Sequence, residues 1–145
     1  MESSKLSRYY DSLRRQTVAA TPEEMVRQRL IQAMIEQLGY PRELLVVEKA
    51  LSQLPHLSQQ KGLPRRRADL LCFGRNIHPE HSLFPLLLIE CKEGLLNSDA
   101  EQQVLGYNHF VQAPYVALAN ERGPELIFPK RLDYLPSFSQ LIAQL

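Results

Sequence analysis

The chain has 145 residues, one domain's worth on the usual scale of about 100–200 residues per domain. It is 44% hydrophobic and 23% charged, a globular balance that excludes collagen-like, low-complexity and disordered classes. Lys and Arg number 17 and Asp and Glu 16, a net charge of +1 that argues against holding nucleic acid by global charge but leaves room for a local basic site.

Taken in chain order, residues 1–20 are polar and mixed in charge. Leu6, Tyr9, Tyr10 and Leu13 sit at helical spacing and predict a short docking helix, with the tyrosines as packing residues. The opening MESSKLSRYYDSLRRQ lacks an apolar stretch, so no signal peptide is expected. Thr21-Pro22-Glu23-Glu24 is a helix start, with Thr at N-cap, Pro at the first position and Glu at the third. Val26, Leu30, Ala33, Met34 and Leu38 continue it at 3.6-residue spacing, and Gly39 ends it.

Residues 43–51, 65–73 and 84–92 read as three strands, the last a continuous apolar run expected of a strand covered on both faces. Residues 55–64 read as a loop. Ser98-Asp99-Ala100-Glu101 opens a second helix that runs to about Val111, followed by strands at 115–119 and 125–128. Leu135, Phe138, Leu141, Ile142 and Leu145 predict a terminal amphipathic helix within 129–145. The order α-β-β-β-α-β predicts an α/β domain, a central mixed sheet flanked by helices, over 21–128.

Cys72 and Cys91 lie in apolar runs outside any metal-ligand spacing, so reduced structural thiols in a cytoplasmic protein are expected. No apolar run approaches the roughly 18 residues of a membrane span. The four histidines look scattered, with His78 and His81 on the surface.

Charge appears where core strands should have none. Asp69 follows Ala68 and precedes Leu70-Leu71, while Glu90 and Lys92 follow Leu86–Ile89 and share one strand face. Such charges cost several kcal/mol to bury unless paired or bound to an ion. A structural ion pair would satisfy that requirement. So would a hard-oxygen site for Mg²⁺ or Mn²⁺, with two carboxylates as ligands and a lysine beside the reacting phosphate.

Asp69 followed by Glu90-Cys91-Lys92 resembles the PD-(D/E)xK nuclease signature, with Ala68 in place of the proline. The stretches TPEEMVRQRLIQAMIEQLGYPRELLVVEKAL, RRRADLLCF, PLLLIECKEG and AEQQVLGYNHFVQAPYVALANERGPELIF resemble the N-terminal nuclease domain of type I restriction enzyme R proteins. That resemblance implies a restriction-endonuclease-like fold and Mg²⁺-dependent cleavage of DNA; an endonuclease is expected over an exonuclease, though the sequence itself leaves the mode open. It implies Asp69 and Glu90 as metal carboxylates, Lys92 as the catalytic lysine, and Gln103 and Tyr107 as a Q-x-x-x-Y element touching the DNA backbone.

The resemblance also implies a helix carboxylate at the metal. The motif alignment selects Glu24, whereas a helical wheel puts Glu23 nearer the apolar face. Arg67, Arg27 and Arg66 are expected as phosphate contacts. In the family a DNA-translocating motor follows this domain, and residues 129–145 are too short for one, so a domain without a motor is expected. A second copy or a larger partner subunit would then supply the grip that a charge of +1 lacks. The alternative reading is a nuclease fold retained as a non-cleaving DNA- or protein-binding module, or one active only with a partner.

Overall fold

A computed structural model describes residues 7–145. The predicted N-terminal helix is not there: strands β1 (Arg8–Asp11) and β2 (Gln16–Ala19) form an antiparallel hairpin, and Leu6 lies outside the described residues. The reason is local. The buried Asp11 carboxylate accepts from the backbone N–H groups of Leu13, at 2.8 Å, and Arg14, at 3.2 Å. This closes an Asx-type turn that competes with helix. Tyr9 lies along the first helix, but Tyr10 is 59% exposed and packs little.

Helix α1 (Pro22–Glu36) starts as predicted, the Thr21 hydroxyl accepting from the Glu24 N–H at 3.1 Å. Val26, Leu30, Ile31 and Met34 form its buried stripe. Gly39, at φ +73°, turns the chain so that the Tyr40 N–H reaches the Met34 carbonyl at 3.0 Å.

The central sheet holds β3 (Leu45–Ala50), β4 (Arg67–Arg75), β5 (Leu83–Cys91), β6 (Tyr115–Asn120) and β7 (Gly123–Phe128), in that spatial order. All neighbours are antiparallel except β5 and β6, which are parallel and joined by helix α2 (Ser98–Val111) as the crossover. Asn97 rather than Ser98 caps α2, its side chain accepting from the Ala100 N–H at 2.9 Å. Strand β5 is buried from Phe84 through Cys91, as its unbroken apolar run requires. Helix α1 packs on β5, β6 and β7, and α2 on β5 and β6. The expected mixed sheet flanked by helices is therefore present.

Two segments contribute more core than expected. The 51–64 connection forms two short 3₁₀ turns that bury Leu51, Leu54 and Leu57. The tail folds back on the domain: the Tyr40 hydroxyl donates to the Pro136 carbonyl at 2.7 Å, and the Tyr115 hydroxyl to the Leu141 carbonyl at 2.8 Å, where helix α3 (Phe138–Ala143) docks. Among the described residues no helix is long and apolar enough to cross a membrane.

Three of the histidines are gathered rather than scattered. His56 and His78 both pack on Phe84, with ring centroids 4.6 and 4.4 Å away, and His81 lies 4.9 Å from His78. The His56 Nε2–H donates to the Val111 carbonyl at 2.8 Å, and its Nδ1 is buried without a partner. Burial, and then the nearby His81, hold the His56 pKa below its ordinary 6.5 against the opposing pull of the Val111 carbonyl. The unfolded chain thus binds the proton more tightly. Stability from this group is complete above about 6.5 and is lost as pH falls through the lowered value. Melting temperatures measured between pH 7.5 and 5 should fall with acid, and His56→Phe should flatten that slope.

Candidate active site

Strand register builds the site. Leu70 of β4 pairs with Ile89 of β5, so one residue further along Asp69 stands across from Glu90. Val47 of β3 pairs with Leu70, so Glu48 stands across from Asp69. Three carboxylates form one row over three strands, at the end where β5 runs into Lys92. Like charges directly opposite one another destabilise a sheet, so this row requires cations.

Arginines supply them. Arg27 of α1 is 6% exposed; it bonds Asp69 Oδ1 with one guanidinium nitrogen and Glu24 with two others. Arg66, at the entry to β4, bonds Glu90 Oε1. Arg14, from the hairpin turn, bonds Asp11 and reaches Glu24 Oε1 at 2.6 Å. Backbone completes the set: the Cys91 N–H donates to Asp69 Oδ2 at 2.7 Å, and the Asp69 N–H to Glu90 Oε2 at 3.4 Å. Asp11, Arg14, Glu24, Arg27 and Asp69 thereby form a continuous chain of alternating charge.

Glu24, Arg27 and Asp69 of this alternating chain border a polar cavity of about 300 Å³, lined also by Thr21, Glu23, Glu48, Arg66, Arg67, Glu90, Cys91 and Lys92. Its carboxylates are not equivalent. Burial alone would raise the Glu24 pKa, but hydrogen bonds from Arg27, Arg14 and Gln28 hold it below the usual carboxylate range. Glu90, 4% exposed, is held above that range by burial and then by the charge of Asp69, with Arg66 compensating only in part. Burial also opposes the charge on Arg27, yet the Glu24 hydrogen bond and the Asp69 charge keep its pKa above the ordinary value.

The expected site residues divide into three groups. Asp69, Glu90 and Lys92 converge on the cavity, with Glu24, Arg66 and Arg67 on its walls. Arg27, expected to grip phosphate, is instead buried among carboxylates, with each of its three guanidinium nitrogens bonded to one. Glu24, expected as a metal ligand, is the buried member of the Glu23–Glu24 pair, and both its oxygens accept from side chains.

Tyr107 and Gln103 lie apart. Tyr107 is buried, its hydroxyl donating to the Arg66 carbonyl at 2.6 Å and its ring facing the Arg66 guanidinium at 5.5 Å. Burial and then the charge of Glu90 push its phenol up to about 12, so it stays a donor. Gln103 is exposed and shares a neighbouring hollow with Lys92 and Asn97.

Two further residues join the site that the sequence alone does not single out, Arg14 and Glu48. Glu48 carried a usable signal, because it interrupts the apolar Leu44–Val47 run much as Asp69 and Glu90 interrupt theirs. Arg14 had none, since its position depends on the hairpin.

Among the described residues no group of three or more His, Cys, Asp and Glu side chains is gathered as a metal cluster. The donor chemistry is nevertheless compatible with a hard divalent cation such as Mg²⁺ or Mn²⁺. Magnesium keeps several waters and uses only one or two protein carboxylates. Asp69 and Glu90 provide that pair, in a polar cavity, with the Glu90 charge still undercompensated.

A model of the family described as type I restriction enzyme R protein N terminus matches residues 22–129. The chain belongs to this family. No curated protein and no solved structure matched it. The family segment contains Glu24, Asp69, Glu90, Lys92, Gln103 and Tyr107, whereas the hairpin that delivers Arg14 lies before it.

Proposed function

We propose that this member of the restriction R-protein family hydrolyses phosphodiester bonds of DNA, endonucleolytically, with Mg²⁺ or Mn²⁺ held by Asp69 and Glu90. The observation that carries this reading is the convergence of Asp69, Glu90 and Lys92 from two adjacent strands on one polar cavity. A bound cation would supply Lewis acidity and the positive charge the two carboxylates call for. Lys92, half-buried at the strand end, orients the attacking water and offsets charge developing on the phosphate. Arg66 and Arg67, exposed at the mouth, hold backbone phosphates. Tyr107 sets the course of the chain at Arg66 through its carbonyl, and Gln103 extends the phosphate contacts beyond Lys92.

The test is nicking and linearisation of closed circular DNA with Mg²⁺ or Mn²⁺. Lys92→Ala should lower the rate by about 10²–10⁴ while leaving the melting temperature within a few degrees, the usual range for losing one positioned proton-transfer or charge-stabilising group. Equal rates for wild type and variant would refute the assignment.

A second reading also has support, because Arg27 and Arg66 already occupy the two carboxylates. The fold would then serve as a non-cleaving DNA- or protein-binding module, or as a nuclease that needs a second copy or a partner subunit before those arginines release. DNA binding without cleavage, unchanged by Asp69→Ala, would favour it.

A further inference from the structure

Within β3, Glu48 has φ +53°, a left-handed conformation that L side chains other than Asn and Asp rarely adopt. Strained backbone of this kind persists only where its surroundings hold it, and it concentrates at functional sites. The pairing of β3 with β4 skips this residue and resumes at Lys49, so the strain is confined to one position. Its effect is to direct the carboxylate into the cavity that Asp69 and Glu90 line.

There Glu48 lies between two guanidinium groups, with Oε1 3.7 Å from Arg27 and Oε2 3.6 Å from Arg14. Both distances are within ion-pair range but beyond a hydrogen bond. Its side chain is 48% exposed, and among the described residues its contacts to both guanidiniums are ion pairs only. Glu24, the other carboxylate that both arginines share, is buried and already accepts from Arg14, Arg27 and Gln28. When Asp69 gives its Oδ1 to a cation, Arg27 must find another acceptor, and Glu48 is the neighbouring carboxylate with capacity to spare.

We propose that Glu48 is a positioning residue that takes the Arg27 guanidinium when Asp69 turns to a divalent cation. This rests on the nuclease reading above, since it requires a cation at Asp69. Glu48 acts through Arg27 rather than on the substrate. Its loss raises the cation concentration the site needs, without lowering the rate once that need is met.

The experiment compares wild type with Glu48→Gln, Glu48→Gly and Glu23→Gln, the last removing a charge from the same cavity wall without touching Arg27. Melting in metal-free buffer, Mn²⁺ affinity by calorimetry, and DNA cleavage across a Mg²⁺ series are measured for each. Both Glu48 variants should weaken Mn²⁺ binding about fivefold, the effect of losing one part-exposed ion pair. The Mg²⁺ midpoint should rise in step, with kcat at saturating Mg²⁺ and KM for DNA near wild type. Glu23→Gln should produce less than half that shift. Glu48→Gly should melt no lower than wild type, because glycine accepts the left-handed backbone.

Unchanged Mn²⁺ affinity in both Glu48 variants overturns the proposal, as does an equal shift from Glu23→Gln. Wild type that cleaves DNA while the Glu48 variants bind Mn²⁺ normally defeats this inference and leaves the nuclease reading intact. Wild type that binds Mn²⁺, is weakened by the Glu48 variants and cleaves nothing defeats the nuclease reading and leaves this one. Wild type without Mn²⁺ binding defeats both.

Discussion

Glu90→Gln should abolish DNA cleavage and, at neutral pH, raise the melting temperature of the metal-free protein. Glu90 is 4% exposed and faces Asp69, so burial and then like charge hold its folded pKa above the ordinary 4.5. The folded state therefore binds the proton more tightly than the unfolded chain. The stabilisation this confers is complete below 4.5 and is lost as pH rises through the raised folded value, so above it the ionised carboxylate is a net cost. Glutamine keeps the shape and can still accept from Arg66, without the charge. Melting at pH 7 should rise by a few degrees, and the gain should vanish near pH 4. The loss of cleavage should be about a thousandfold or more, because a bound cation contributes several kcal/mol to such a reaction. A variant that melts below wild type at pH 7 would show that Arg66 already compensates the Glu90 charge.

The largest stability effect is expected at Arg27. Its guanidinium joins Glu24 to Asp69 in a region where side-chain exposure is 7% for Arg27 and 8% for Glu24. Arg27→Met keeps the length of the side chain but removes the cation the two carboxylates share, leaving Asp69 Oδ1 without its partner and Glu24 with only Arg14 and Gln28. Removing one partner of a buried ion pair costs about 3–5 kcal/mol, against a total stability of about 5–15 kcal/mol for a domain. A denaturant titration should show the midpoint fall accordingly. Adding Asp69→Asn should restore part of the loss, because the neutral amide no longer needs a cation, and the two changes should therefore be non-additive. A midpoint equal to wild type would mean that water already screens this network.

Where local signals and packing agreed, the sequence was legible. Thr21-Pro22 marked the start of α1, and the apolar run into Glu90-Cys91-Lys92 identified the central strand and its charged end. The N-terminal hairpin is not legible in the sequence because Tyr9, Tyr10 and Leu13 happen to fall at helical spacing, whereas a side chain-to-backbone turn at Asp11 decides the conformation. Arg27, expected to contact phosphate, lines the cavity with its guanidinium on Glu24 and Asp69. A sequence shows a positive charge beside a negative pair, and only the packing of α1 on the sheet shows that the arginine is buried against those carboxylates. Glu48 required the register of β3 on β4 before its place opposite Asp69 could be seen.

The two cysteines give the site a built-in reporter. Burial pushes the Cys72 thiol up to about 12, and Cys91, beside Glu90, is raised further by burial and then by the charge of Asp69. Thiol reagents attack the thiolate, so both sulfurs are inert near neutral pH while β4 and β5 stay paired. Cys72 lies on the strand that carries Asp69, and Cys91 immediately follows Glu90. The rate at which a thiol reagent labels them is thus a stopwatch for the opening of the carboxylate-bearing strands, readable without DNA, cation or catalysis.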